Sequence, residues 1–514
     1  MARTTGAATD LITFSRASSG TALTKVAYGP ELVTNGGFDT DSDWVLPVGA
    51  SISNGTVILE NVGTGQQIYQ SYVLPVGVYE YTFDLVSITS GAIQPFIHGA
   101  VGGIGTVRGT VGTYTETLVI TTAGSRIAFR PNNTTSAVVD NVSVKQVLFN
   151  DPTGTLKLIS HPTNKPRVEY DANGVAKGLL IEEARTNLLT YSIPNEAQAV
   201  WTTLRAQTQP SAILAPNGLA EARLLKPTIS SSGATWIYSS QYNTGVIASI
   251  SVFAKASGKR WLTQSDSPGN VKYASFDLEN GVIGTVRAGY TASMQDVGNG
   301  WYRCSVTTPT GFNERAIFAV SDLDNDFRAA VSGDDGILLW GAQLETGSFP
   351  TSYIPTSGAT ATRSADLASV SVSEFGYNQA QGALLMEFNT FSDGLSAAQY
   401  VLVGGHDTRF LYSNPGTSQW YSYDGAVSTY TLPTPFNFDD TPVKAGYTEG
   451  GGSTAVYHDG NIGTAAQNQT IFDNNPTVFD IGQWGGIYHL NGHVKSINYY
   501  PLRLSDAKLQ ELTS

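Results

Sequence analysis

The stretch Tyr79-Glu80-Tyr81-Thr82-Phe83-Asp84-Leu85, read YEYTFDL, decides the fold of this chain. Four large apolar side chains occupy alternate positions with Glu, Thr and Asp between them, which is the period of a strand with one buried and one wet face. Similar runs at 56–60, 114–121, 126–130 and 138–147 are separated by Gly-rich turns. Short strands at that spacing predict a β-sandwich over residues 31–147.

The rest of the chain extends the pattern. With 514 residues it exceeds what one core organises, so several domains are expected. Apolar residues make up 41% and charged residues only 14%, and 54 Gly with 25 Tyr favour strands joined by tight turns over long helices. The fold class is therefore all-β. A net charge of −13 argues against a nucleic-acid footprint or an anionic membrane surface, both of which need clustered Lys and Arg. The opening MARTTGAATDLITF has no apolar signal region, and no run of about 18 apolar residues occurs, so neither a secretory signal nor membrane insertion is expected. Cys304 is the only cysteine, which excludes an internal disulfide framework and fits maturation in a reducing cytoplasm.

A second sandwich is expected over 187–356, with a strand at 248–256 and a hairpin turn at Asn280-Gly281. It repeats the first. Leu32-Val33-Thr34-Asn35-Gly36-Gly37-Phe38 followed by Trp44 corresponds to Asn187-Leu188-Leu189-Thr190-Tyr191-Ser192 followed by Trp201, and Val139-Asp140-Asn141-Val142-Ser143-Val144 corresponds to Leu339-Trp340-Gly341-Ala342-Gln343-Leu344. Trp44, Trp201, Trp301 and Trp340 sit in these recurring motifs and are expected in the core. The Pro-containing stretch 349–358 reads as extended linker, and the boundary to a third domain is placed at 357–366. That domain, 367–514, carries a hairpin signal at Asp459-Gly460 and ends in a short helix capped by Ser505, with Leu509 and Leu512 buried.

Few residues suggest catalysis. Glu182 and Glu183 are adjacent, and neighbours in sequence point to opposite sides of a strand, so they do not form a facing acid pair; one of them is expected to pair with Arg185 or another subunit. Asp322, Asp324 and Asp326 alternate like ligands but lack the Gly and Glu of a calcium loop, and read as a solvated turn. His489 and His493 are four apart without the Glu of a zinc helix, and are expected on one sheet face without metal. There is no nucleophile elbow and no phosphate-binding loop, so no enzyme activity is expected.

Phe14-Ser15-Arg16-Ala17-Ser18, Arg167-Val168-Glu169-Tyr170-Asp171 and the run from Gly178 to Leu189 together resemble the collar of phage virion appendage proteins of the head-spike, head-fibre or tail-fibre type. Asp296-Val297-Gly298-Asn299-Gly300-Trp301-Tyr302-Arg303-Cys304 and Trp340-Gly341-Ala342-Gln343-Leu344-Glu345 resemble the same group's middle domain, which is similar to jelly-roll carbohydrate-binding modules. Tyr457-His458-Asp459-Gly460 and Leu490-Asn491-Gly492-His493-Val494 resemble the concanavalin A-like lectin/laminin G fold.

The resemblance implies three tandem β-sandwiches of jelly-roll and concanavalin A-like type, with an N-terminal collar or anchor made from 1–30 and 148–186 and the first sandwich inserted between its pieces. It implies a head spike or fibre that binds host cell-surface polysaccharide for adsorption. The alternatives are a tail fibre or tail-borne glycan depolymerase and a purely structural capsid decoration protein. Expected partners are a host glycan, virion proteins at the capsid vertex or tail, and further copies of the chain in a trimer or pentamer. The expected location is the virion surface after assembly in the host cytoplasm. Flat apolar rings that cover sugar C–H surfaces are offered by Trp261, Tyr273, Tyr290, Trp420, Tyr421, Trp484 and Tyr488. No cofactor is required, although Asp39 and Asp140 match positions at which such modules hold a structural Ca²⁺.

Overall fold

YEYTFDL lies in a 22-residue strand, Gly77–His98, and Tyr79, Tyr81, Phe83 and Leu85 are each no more than 1% exposed. The computed structural model that shows this describes residues 11–229, 233–265, 272–309, 313–391, 399–404, 410–413, 419–423, 427–431, 442–450, 453–465, 476–484, 486 and 488–514. It divides into two units, one of residues 25–155 and one formed by 1–24 with 156–514. Each is built of sheets. The one α-helix among the described residues is Asp506–Thr513, whose first turn is capped by the Ser505 hydroxyl accepting from Lys508 N.

In the smaller unit, Gly77–His98 pairs antiparallel with Gly124–Phe149 through register shifts after Thr82, Leu85, Ile88 and Ser90. Such bulges add the twist and bend that strands of this length require. Phe38, Trp44, Val57, Ile68, Phe129 and Val139 fill the core beneath them.

The larger unit contains two sandwiches. In the first of these, one six-stranded sheet includes Trp201–Leu204, Trp236–Asn243 and Trp261–Ser265, and the other includes Ala248–Ser257, Tyr302–Thr307 and Gly336–Thr346. Ile250, Val252, Cys304, Phe318 and Leu344 lie between them. The internal duplication appears in a shared detail: Trp44 Nε1 donates to Asn35 O at 2.9 Å, and Trp201 Nε1 donates to Tyr191 O at 2.9 Å. In both modules an indole thus ties the segment nine or ten residues ahead of it to the core. Trp301 and Trp340 are buried as well.

Both hairpin turns form where the sequence placed them. Gly281 takes φ +66, with its N–H bonded to Asp277 O at 2.9 Å. Asp459 and Gly460 take φ 44 and 75, the double positive φ of a tight two-residue hairpin turn.

The last sandwich departs from the expected boundaries. Among the described residues its two sheets have eight and seven strands, and each ends in a strand from the expected collar. Ile12–Ser15 pairs with Leu367–Ser371. Ala176–Ile181 pairs with Gly492–Tyr500, Leu179 opposite Val494 and Ile181 opposite Gly492. Phe14, Leu179 and Ile181 share one core with Met386, Phe388, Val456 and Ile481. Ile12–Ser15, Val168–Tyr170 and Ala176–Ile181 of the expected collar are thus strands at the edges of the C-terminal sandwich, whose core takes up their apolar side chains, whereas Gly20–Glu31 and Thr155–His161 pair in the sheet that holds Gly124–Phe149.

The expected linker is fixed rather than free. Phe349, Tyr353 and Ile354 are buried, and Ala361–Arg363 pairs with Arg185–Asn187. In the terminal helix, Leu509 and Thr513 are buried while Leu512 is only partly so.

Candidate functional site

Charged side chains from every collar piece meet in one buried cluster. Arg16 Nη1 lies 3.0 Å from Asp366 Oδ1, Arg167 Nη2 lies 2.9 Å from Glu182 Oε2, and Arg167 also bonds Asp366. Arg363 stands 3.5 Å from Glu182 and 3.7 Å from Asp366. Ser352 completes the shell, its N and Oγ donating to the Glu182 carboxylate, each at 2.7 Å. All five charged side chains are at most 1% exposed. Buried charges persist only when paired and hydrogen-bonded, and here three guanidinium groups face two carboxylates.

The electrostatics follow from that arrangement. Burial alone would raise the Glu182 carboxyl, but Arg363, Arg167 and the Ser352 bonds bring it down to about 2. Burial and the neighbouring Arg167 lower the Arg16 guanidinium to about 10. Burial together with Arg167 and Arg16 lowers His161 to about 3, so its imidazole is neutral. Glu183, one residue on, points the other way and bonds Arg185. The pairing with Arg185 was legible from sequence, whereas the burial of Glu182 was not.

One broad polar face of the second sandwich is closed. With Ile250, Val252, Cys304 and Leu344 facing the core, period two puts Ser249, Ser251, Arg303, Ser305, Gln343 and Glu345 on the opposite face. All six are buried. Glu345 accepts from Thr351 N at 3.0 Å and Gln343 Oε1 from Ile354 N at 2.6 Å, so the chain's own 349–356 segment covers part of this face. A further apolar cluster of Leu23, Leu158, Phe253, Trp301, Trp340 and Tyr353 packs beside it. This face is not an open platform.

The aromatic candidates divide accordingly. Tyr273 is 2% exposed and belongs to the core together with Ala274 and Phe276, because the register shifts at Tyr273 and breaks the alternation there; its ring offers no exposed face for a sugar. Tyr290 stacks on it at 4.6 Å and is only partly buried. Trp261 is partly buried on the far face, with the Arg260 guanidinium 5.3 Å from its ring. Trp484 and Tyr488 stack at 5.4 Å and 21° on a two-stranded ribbon of their own, both partly buried. Trp420 and Tyr421 lie on the strand Gln419–Tyr423, but their side chains lie outside the described residues.

For the metal candidates, Asp39 is exposed and Asp140 Oδ1 accepts from Asn141 N at 2.7 Å. Among the described residues no three His, Cys, Asp or Glu side chains converge, and two carboxylates fall short of the six to eight oxygens that Ca²⁺ takes. The acidic run is spent on bonds to neighbouring side chains and backbone, two of them to distant parts of the chain: Asp322 to Lys259, Asp324 to Thr285, Asp326 to Arg328. His489 and His493 do not share a sheet face, because Asn491 at φ 51 separates the ribbon from the strand Gly492–Tyr500. His493 is held at both nitrogens, Nε2 by Glu169 Oε2 at 2.7 Å and Nδ1 by Asn389 Oδ1 at 2.9 Å, leaving neither for a metal or a substrate.

That His493 bridge borders a cleft of about 450 Å³ where the two sandwiches of the larger unit meet. Its lining comes from three places: the turn with Asp171 and Lys177, the strand end with Gln295 and Asp296, and the C-terminal sandwich with Glu387, Asn389 and Lys495. Segments this far apart give no common sequence signal, and sequence reading missed the site. Burial alone would raise the Glu169 carboxyl, but His493 and the Lys177 ammonium hold it below the usual carboxylate range.

No family model matches the chain, and no curated protein does. Among solved structures, the chain is similar to the CBM22-1–CBM22-2 tandem domain of Paenibacillus barcinonensis Xyn10C, at 9% identity and a TM-score of 0.21, over 62% of this chain and 98% of that one. It is also similar to Trypanosoma rangeli sialidase, at 11% identity and a TM-score of 0.24, over 91% of this chain and 85% of that one. At these scores neither likeness argues for a function, and the all-β assignment stands on the strand pairing itself.

Proposed function

We propose that this chain is a virion appendage protein of the phage head-spike or fibre type, which binds cell-surface polysaccharide during adsorption and performs no chemistry on it. The reading is supported chiefly by the meeting of the collar pieces. The segments that carry the resemblance, around Arg16, Arg167 and Glu182, contribute the charges of one buried cluster with Asp366. A residue set so specific to joining distant segments suits a rigid projecting body, and sandwiches present loops and clefts on such a body. Single protein–sugar contacts are weak, so several copies of the chain act together, as a trimer or pentamer, to raise avidity. The chain assembles with other virion proteins in the host cytoplasm.

The test is to image intact particles with an antibody against the chain, and in parallel to incubate the purified chain with capsular polysaccharide. Label projecting from the particle, with polysaccharide bound and its length unchanged, is the expected result. Shortening of the polysaccharide would replace this reading with a depolymerase. Label on the particle without any glycan binding would leave a decoration protein.

A further inference from the structure

The cleft between the two sandwiches of the larger unit is preorganised. Its volume of about 450 Å³ falls within the roughly 300–1,000 Å³ usual for ligand sites. The His493 bridge fixes the Asn389 carboxamide: Asn389 Oδ1 accepts from His493 N at 2.7 Å and meets Nδ1 at 2.9 Å, so Asn389 turns its NH₂ away from the imidazole. The Gln295 carboxamide, which also lines the cleft, makes no hydrogen bond to any described residue.

The charged side chains on the walls already have partners. Lys495 Nζ lies 2.6 Å from Glu387 Oε1. Lys177 sits 5.7 Å from the Phe391 ring and acts on Glu169. Asp171 Oδ1 accepts from Asn173 N at 2.9 Å and Val175 N at 2.8 Å, and Asp296 Oδ1 from Gly298 N at 2.8 Å. Three carboxylates against two ammonium groups disfavour an anionic ligand, while Asp171 and Asp296 are already engaged by backbone N–H groups and Glu387 by Lys495. Hydroxyl groups, each both donor and acceptor, suit walls of amides and carboxylates.

We infer that this cleft is the saccharide-binding site and that its ligand is an uncharged stretch of polysaccharide, read by Gln295 and the Glu387–Lys495 pair. The inference rests on the glycan-binding reading above.

The experiment measures binding of the full chain to immobilised neutral polysaccharides and to uronate-, sialate- and sulfate-bearing ones, followed by calorimetry on the best binder. The variants are Gln295→Trp, which fills the cleft from a partly exposed strand end, Gln295→Ala, and Trp484→Ala on the aromatic ribbon. Each is checked by its melting curve. The expected result is binding to neutral glycans that Gln295→Trp weakens roughly tenfold or more and Gln295→Ala less, with Trp484→Ala near the parent. Neutral-glycan binding unchanged by Gln295→Trp in a folded variant overturns the cleft and leaves the glycan reading standing. Preference for anionic glycans overturns the ligand class. Binding to no polysaccharide overturns both.

Discussion

Replacing Glu182 by Gln removes one of two carboxylates from among three buried guanidinium groups while keeping side-chain size. The structure gives the magnitude in two ways. Breaking a buried pair from one side costs about 3–5 kcal/mol, because the remaining charges stay out of water without a partner. Independently, a carboxyl brought from 4.5 to about 2 is favoured in its charged form by roughly 3 kcal/mol, at about 1.4 kcal/mol per pH unit. The sign follows from the direction of the shift. The folded-state value is depressed, so this stability is fully present above about pH 4.5 and is lost as pH falls towards 2. Glu183→Gln is the control: its side chain is 34% exposed beside Arg185, and such pairs contribute about 1 kcal/mol or less. Urea unfolding followed by tryptophan fluorescence suits the comparison, since seven of the eight tryptophans, all but Trp44, lie outside the inserted unit. Glu182→Gln should be destabilised by about 3 kcal/mol at pH 7, with the gap to the parent closing below pH 4. A loss no larger than that of Glu183→Gln would refute the keystone role of the cluster.

The other expectations concern how the units are assembled. Residues 367–514 expressed alone lack the strands that bring Phe14, Leu179 and Ile181 into the core, and should show no cooperative thermal transition, whereas the chain with 25–155 replaced by a flexible linker should keep one. Gly178 takes φ +130, and a Cβ there would stand 2.5 Å from Val494 O, so Gly178→Ala should cost at least about 2 kcal/mol by chemical denaturation. Gly376→Ala, at φ +66 with nothing within 4 Å, should cost about 1 kcal/mol. Trp44→Phe and Trp201→Phe each remove one indole hydrogen bond to a backbone carbonyl, and melting curves should show similar losses of about 1–2 kcal/mol in the two modules.

Sequence reading succeeded where the determinants are local. YEYTFDL reports its own buried face, Asn280-Gly281 and Asp459-Gly460 report their own turns, and Trp44 and Trp201 mark equivalent places because each bonds a carbonyl nine or ten residues back. It also separated Glu182 from Glu183, since neighbours on an extended chain diverge. It failed where the partner is distant. Nothing in Leu179 records that Val494 lies across from it, and a short polar stretch around Arg363 and Asp366 looks like a solvated linker until the other charges are seen to close over it. The hairpin signal at Asn280-Gly281 does not record the register shift that turns Tyr273 into the core, so Tyr273 passed for a ligand contact. The cleft was invisible for the same reason as the collar pairing: its walls come from three separate parts of the chain.

The central claim is that the chain recognises polysaccharide on cells, and binding to the cells themselves tests it most directly. Fluorescently labelled full-length chain, applied to a panel of bacterial strains before and after enzymatic removal of surface polysaccharide, should bind at least one strain and lose that binding once the polysaccharide is stripped. Binding that persists on stripped cells, or binding to no strain in the panel, would contradict the account.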